Sequence, residues 1–135
     1  MTAPSPALLD TSVVIDLQRI PNESLPAELA ISALTLAELA AGPHATDDAR
    51  ERARRQDRLQ RIESIMDPLP FDAAAARAYG HVYAATRAKD RKPRGARAVD
   101  LMIAAVALAN DLPLLTRNPG DFAHLTAIGL VVHQV

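Results

Sequence analysis

Four acidic residues stand apart from the other charges in this chain, because each lies against an apolar run. Asp10 follows Ala7-Leu8-Leu9 and precedes Thr11-Ser12. Glu38 lies within Ser32-Ala33-Leu34-Thr35-Leu36-Ala37-Glu38-Leu39, and Asp100 within Ala98-Val99-Asp100-Leu101-Met102-Ile103. Asp121 follows Leu114-Leu115 in Thr116-Arg117-Asn118-Pro119-Gly120-Asp121-Phe122. An unpaired buried carboxylate is costly, so acids in the least polar segments need partners. Two chemistries meet that need: pairing with arginine, or a shared divalent cation. Hard oxygen ligands without cysteine or an ordered histidine pair suit Mg²⁺ or Mn²⁺. Clustered carboxylates stay ionised when a cation compensates them. Such a site activates water and stabilises in-line displacement at phosphorus. Spacing alone leaves the metal site and structural ion pairs equally open.

Strands and helices must bring these acids together. Ala7–Asp10 reads as a strand with Asp10 as its last residue, and Thr11 or Ser12 as the cap of a helix to about Arg19. Val13, Val14, Ile15 and Leu17 are the inward face of that helix. A second strand is expected over Leu29–Ala33. Ser32 or Thr35 caps the helix Leu34–Ala41, which Gly42-Pro43 stops. Thr46 is the expected cap of a long helix to about Ile65, packed through Ala53, Leu59, Ile62, Ile65 and Met66. Pro68–Phe71 suits an edge strand or an extended link. Asp72 caps a helix to about Ala88. Lys89–Gly95 is a basic loop. Arg97–Asn110 is a helix with one apolar stripe through Val99, Met102, Ile103, Val106 and Ala109. Strands over Leu112–Leu115 and Gly129–His133 close the chain, and Met1–Pro6 is a frayed lead-in. Alternating strands and helices imply an α/β fold with a mainly parallel sheet covered on both faces. In such sheets ligands bind beyond the carboxyl ends of the strands, where Asp10 would stand. A capping role alone also explains Asp10.

The chain has 135 residues, enough for one domain spanning 1–135 with a sizeable core. The net charge is −1, so affinity for a polyanion requires a local basic patch. Only Lys89 and Lys92 among the 15 basic residues are lysines. Arginine suits phosphate recognition, though GC-rich coding gives the same bias. The absence of cysteine excludes disulfides, Cys-ligated zinc and thiol catalysis. No signal peptide or membrane-spanning apolar stretch is visible, and a soluble cytoplasmic protein is expected.

Leu9-Asp10-Thr11-Ser12-Val13-Val14-Ile15 resembles the opening motif of PIN-domain nucleases. Ser32-xx-Thr35-Leu36-Ala37-Glu38-Leu39-xx-Gly42 resembles the second motif of their VapC toxin branch. Asp100-xx-Ile103-Ala104-Ala105-x-Ala107 and Leu114-Leu115-Thr116-Arg117-Asn118-xx-Asp121-Phe122 resemble the third and fourth. Each motif is loose alone; together, in order, they are specific. The resemblance implies a three-layer α/β/α fold and a Mg²⁺-dependent endoribonuclease, with Mn²⁺ as a substitute. It also implies a toxin neutralised by a VapB-type antitoxin, and a homodimer. By the same resemblance Asp10, Glu38, Asp100 and Asp121 form the acidic cluster, with Asp10 and Asp100 as direct ligands and Glu38 serving a second metal or the attacking water. Asn118 competes with Asp121 for the fourth position. Thr11, Ser12 and Thr116 support the carboxylates. Ser12 departs from the asparagine that many relatives carry.

Other candidates weigh less. Asp16 reads as a surface or first-turn charge. Arg87, Lys89, Arg91, Lys92, Arg94 and Arg97, set against Asp90, precede the Asp100 helix and suit RNA backbone contact or a solvated loop equally. Arg117 either meets substrate phosphate or pairs with a site acid. Arg50–Arg61 is balanced by acids and reads as a solvated helix face. The four histidines show no ligand spacing. Tyr79 and Tyr83 read as core or interface rather than as stacking platforms. A catalytically silent binding module would keep the fold but lose an acid. A receiver-type phosphoacceptor would need a lysine at a strand end, and a haloacid-dehalogenase phosphatase would need Asp where Ser12 stands. No P-loop and no G-x-S-x-G elbow occurs.

Overall fold

A computed structural model describes residues 6–89 and 91–135. The lead-in over residues 1–5 and the acid at position 90 lie outside the described residues. Five short strands, β1 (Ala7–Leu9), β2 (Leu29–Ser32), β3 (Pro68–Leu69), β4 (Leu114–Thr116) and β5 (Val132–Gln134), form one sheet in the order β3-β2-β1-β4-β5. All four neighbouring pairs are parallel. The sheet grows from β1 through β2 to β3 on one side, and from β1 to β4 and β5 on the other. The strand order therefore reverses between β1 and β4, which is where such sheets open a crevice at the strands' carboxyl ends.

Period-two alternation splits the core between the two faces. Leu8 and Leu114 point into one apolar cluster, Leu9 and Leu115 into the other. The first face carries α4 (Ala73–Ala88) and α5 (Ala96–Ala109), sealed by Phe122, Leu125 and Leu130. The second carries α1 (Thr11–Ile15), α2 (Ala33–Ala41) and α3 (Ala49–Ile65), through Val13, Val14, Leu39 and Ile62. These are the three layers the motifs imply.

Several local expectations are corrected. β1 ends at Leu9, and Asp10 itself caps α1, accepting from the Val13 N–H at 3.1 Å. α1 stops at Ile15, and Leu17–Arg19 is a single 3-10 turn. Ile15 is exposed rather than inward, as is Ile65 of α3, while Met66 is buried just beyond that helix. Asp48, not Thr46, caps α3: its carboxylate takes the Glu51 N–H, and Thr46 accepts from the Asp48 N–H instead. Ser32 rather than Thr35 caps α2, and Asp72 caps α4 as expected. The last two strands begin two and three residues later than their apolar runs suggest. α5 buries Leu101 and every residue from Ile103 to Ala107, not one stripe, because α4, α2 and the sheet enclose it. Pro68–Leu69 is the parallel edge strand, where a missing N–H is tolerated.

Phe122 is the largest wholly buried side chain. Phe122→Ala is expected to lower stability by about 3–5 kcal/mol. Ile65→Ser, at a site 63% exposed, should change it by under about 0.5 kcal/mol. Thermal denaturation of both variants checks this; equal melting temperatures would contradict the assigned core.

Candidate active site

Asp10 lies at the reversal point, directly beyond β1, and only 4% of its surface is exposed. Every donor it meets comes from α1 or from the exit of β4. Oδ1 accepts from the Ser12 hydroxyl at 2.6 Å and from the Val13 N–H. Oδ2 accepts from the Thr116 hydroxyl at 2.5 Å. Both hydroxyls are themselves held by backbone N–H groups: Arg117 donates to Ser12 Oγ at 3.1 Å and Asn118 to Thr116 Oγ1 at 2.9 Å. Two relays thus run from the end of β4 through one hydroxyl each to one carboxylate. Each donor in such a chain is polarised by the one behind it.

A second chain of hydroxyls leads to Glu38. Ser32 Oγ lies 3.4 Å from Thr35 Oγ1, Thr35 Oγ1 3.1 Å from Thr11 Oγ1, and Thr11 donates to Glu38 Oε1 at 2.5 Å. Thr35 is fully buried and was expected only as a cap. A hydroxyl facing inward on an apolar helix was the available signal for it. Glu38 is exposed, contrary to the burial expected from its apolar neighbours. The small side chains Ala37, Ala40 and Ala41 share that exposed side of α2.

Asp100 reports that the four acids share one region. Its carboxyl is pushed from the usual 3.8 up to about 6, first by burial, then by the charges of Asp10, Glu38 and Asp121, against a smaller opposing effect of Arg97. Asp121 is exposed in a 3-10 turn (Pro119–Asp121), and its charge reaches Asp100. Asn118 is exposed one residue before that turn; its backbone N–H serves Thr116. Among the described residues no three carboxylates or imidazoles are drawn into a chelating group. Asp10 is turned to its hydroxyl and amide donors and Glu38 to Thr11, so the acids share a field rather than an ion's coordination sphere. The donor set nonetheless fits a hard divalent cation: four carboxylates, no sulfur, and one of them raised by burial and by its neighbours' charge, which a cation would relieve.

The cations divide into engaged and free. Arg117 is engaged: its guanidinium meets Asp16 at 3.4 Å and the Val135 oxygen at 3.0 Å. The acid it pairs with is Asp16, outside the cluster, not a site acid. Arg52, Arg54 and Arg55 of α3 are spent on Glu51 and on the carbonyls of Gly42, Pro43 and Thr46. Arg97 lies near enough to lower the Asp100 carboxyl, and Arg91 reaches the Gly120 carbonyl, beside Asp121, at 3.4 Å. His124 shows the same positive field: burial and then Arg91, Arg97 and Lys89 depress its imidazole. Its Nε2 lies 3.0 Å from the buried Thr86 hydroxyl.

The raised carboxyl carries a sign that stability measurements can read. Asp100 ionises near 3.8 unfolded but near 6 folded, so without metal its repulsion is absent below about pH 4 and complete above about pH 7. The shift corresponds to about 3 kcal/mol at full burial; for a half-exposed side chain, screening leaves about 1. Asp100→Asn should therefore melt about 3 °C above the parent at pH 7.5 in EDTA and level with it below pH 4. A variant that melts lower than the parent at both values would remove the shared field. Thr116→Val should leave the Asp10 carboxylate underprovided and cost about 1–3 kcal/mol by the same assay.

The chain matches the PIN domain family over residues 7–127. It is 36% identical to a Mycobacterium tuberculosis protein described as Ribonuclease VapC5, over 92% of this chain and 90% of that one. Its structure resembles that of a member of the VapBC family of toxin-antitoxin systems, VapBC-5, from the same species, with a TM-score of 0.79, 33% identity and 98% of each chain covered. The fold also resembles FitAcB from Neisseria gonorrhoeae, with a TM-score of 0.70, 25% identity and 98% and 96% coverage. The parallel sheet reversing at Asp10, the four motif acids within one field and these likenesses converge, and the chain belongs to the PIN-domain family, in its VapC branch.

Proposed function

We propose that this protein is a Mg²⁺-dependent endoribonuclease and the toxin of a type II toxin–antitoxin pair, with Mn²⁺ able to substitute. The observation that carries the proposal is the perturbed Asp100 carboxyl, which feels Asp10, Glu38 and Asp121 together. Support for RNA as substrate, and for a VapB-type partner, comes from a relative described as a ribonuclease and from a structural neighbour described as a VapBC toxin–antitoxin structure. The chain is read as one PIN domain over 1–135, because one sheet carries a core on each face. No helix of the described residues is long and apolar enough to cross a membrane. The proposed site of action is the cytoplasm, where the RNA lies, and a homodimer is carried over as part of the family proposal.

Asp10 and Asp100 would hold the cation, with Glu38 and Asp121 completing the set. When bound, the cation supplies an activated water and a counter-charge for the departing oxygen. The chain's own groups do the rest. Thr116, Ser12 and the Val13 N–H hold Asp10 in one orientation. Thr11 holds Glu38. Arg91, Lys92, Arg94 and Arg97 attract the RNA backbone from the flank of the acids. Arg117 braces the β4 exit. The reaction is hydrolysis: water adds at phosphorus, the P–O3′ bond breaks, and 5′-phosphate and 3′-hydroxyl ends result.

Expression of the protein should arrest growth, and Asp100→Ala or Asp10→Ala should abolish the arrest. Because Asp10 also caps α1, Asp10→Asn, which keeps a capping side chain, separates site from fold. Undiminished arrest in folded Asp100→Ala would sink the proposal. RNA cleavage in vitro should stop in excess EDTA and return with Mg²⁺ or Mn²⁺. Mapping of new 5′ ends in cellular RNA after induction identifies the substrate.

A further inference from the structure

A groove of about 310 Å³ lies where the second half of α4 meets the basic loop. Tyr83, Arg87, Arg91, Lys92, Pro93 and Arg94 line it. Tyr83 was expected in the core or an interface; it is 41% exposed. Its ring is held from behind by Tyr79, with centroids 6.2 Å apart and planes tilted by 56°. Arg87, Lys92 and Arg94 form no ion pair or side-chain hydrogen bond among the described residues, unlike Arg52, Arg54 and Arg55 of α3. Arg91 ties this groove to the acids, through the Gly120 carbonyl one residue before Asp121.

A braced aromatic ring beside cations that have no side-chain partner among the described residues is the composition that binds single-stranded nucleic acid. The bases stack on the ring, and the phosphates meet the cations. A duplex keeps its bases stacked on one another and offers no face to a tyrosine. An acidic protein segment would use the cations but gain nothing specific from an aromatic face.

We infer that this groove is a subsite for single-stranded RNA flanking the cleaved bond, with one base stacked on Tyr83 and its phosphates held by Arg87, Lys92 and Arg94. The inference rests on the nuclease reading for the identity of the nucleic acid. It adds a base-stacking contact at Tyr83, by which this groove contributes to the choice of the region beside the cut.

Binding of a fluorescein-labelled 12-nucleotide single-stranded RNA to the full chain in EDTA, followed by anisotropy, tests this without cleavage. Tyr83→Ala should weaken Kd about tenfold, and Tyr83→Phe should bind within about twofold of the parent. On an abasic oligonucleotide of the same length the Tyr83→Ala effect should vanish. Arg94→Gln should weaken RNA and abasic strand alike and reduce the slope of log Kd against log salt by about 0.7. Unchanged Kd in Tyr83→Ala, equal loss on the abasic strand, or tighter binding of duplex than of single strand would each overturn the subsite. So would stronger binding of polyglutamate than of RNA at equal salt, which would point to an acidic protein partner. The nuclease reading fails separately, if the parent protein with Mn²⁺ cuts no RNA while these binding differences stand.

Discussion

A carboxylate with 4% of its surface in water has to find its donors within the protein, and the fold is arranged around supplying them to Asp10. One donor comes from the helix that Asp10 itself caps, one from a hydroxyl on that helix, and one from a strand 106 residues later. The last requires β4 to lie against β1, which places β2 and β3 on the other side and makes this seam the point where strand order reverses. Burial of the acid, sheet order and position of the crevice are therefore one constraint seen three ways. The hydroxyls are the joints. Ser12 and Thr116 each accept from a backbone N–H and donate to the acid, so the β4 exit holds Asp10 without placing a positive charge on it.

The acids beside it are stabilised less. Asp100 is half-buried with three other carboxylates in range, and the compensating charge of Arg97 has the weaker influence. Part of the folding free energy is given up to hold this arrangement, as functional sites commonly do. The surrounding field is graded. Acids occupy the crevice, and unengaged arginines and lysines lie on the α4–α5 flank. On the other flank Arg52, Arg54 and Arg55 of α3 are spent on local carbonyls and on Glu51, whose carboxyl Arg54 and Arg55 hold below its usual range. A net charge of −1 conceals this separation.

The residues that could be read in advance were those whose environment is written in their neighbours. Asp10 and Asp100 sit in apolar runs, and the runs are strand and buried helix as expected. Asp72 was legible as a cap because a long alanine-rich helix follows it. Glu38 is exposed despite its apolar run because its neighbours include alanines, which count as apolar but lie in water at little cost. Asp48 displaced Thr46 as the α3 cap because both residues cap well and only the backbone path decides between them. α5 is buried nearly all round rather than on one stripe, since enclosure by α4, α2 and the sheet is a property of the assembly. The partners of Arg117, Thr35 and Thr116 are tertiary facts: the contacts join residues 18 to 106 positions apart. The basic loop and Tyr83 were recognised separately, and only the folding of one against the other makes a groove of them.

The order in which the sheet is built has a bearing on biosynthesis. β1 leaves the ribosome well before its second neighbour, β4, because β2, β3 and all five helices are made between them. Until Leu114–Thr116 has emerged, Asp10 lacks its Thr116 donor, the crevice has one wall, and Asp121 does not yet exist. Parallel pairing over so long a separation is slow to form, because the loop between must close first. A nascent or prematurely terminated chain therefore carries Asp10, Glu38 and Asp100 without the strand that joins them, and the finished site is withheld until translation has passed β4 and Asp121.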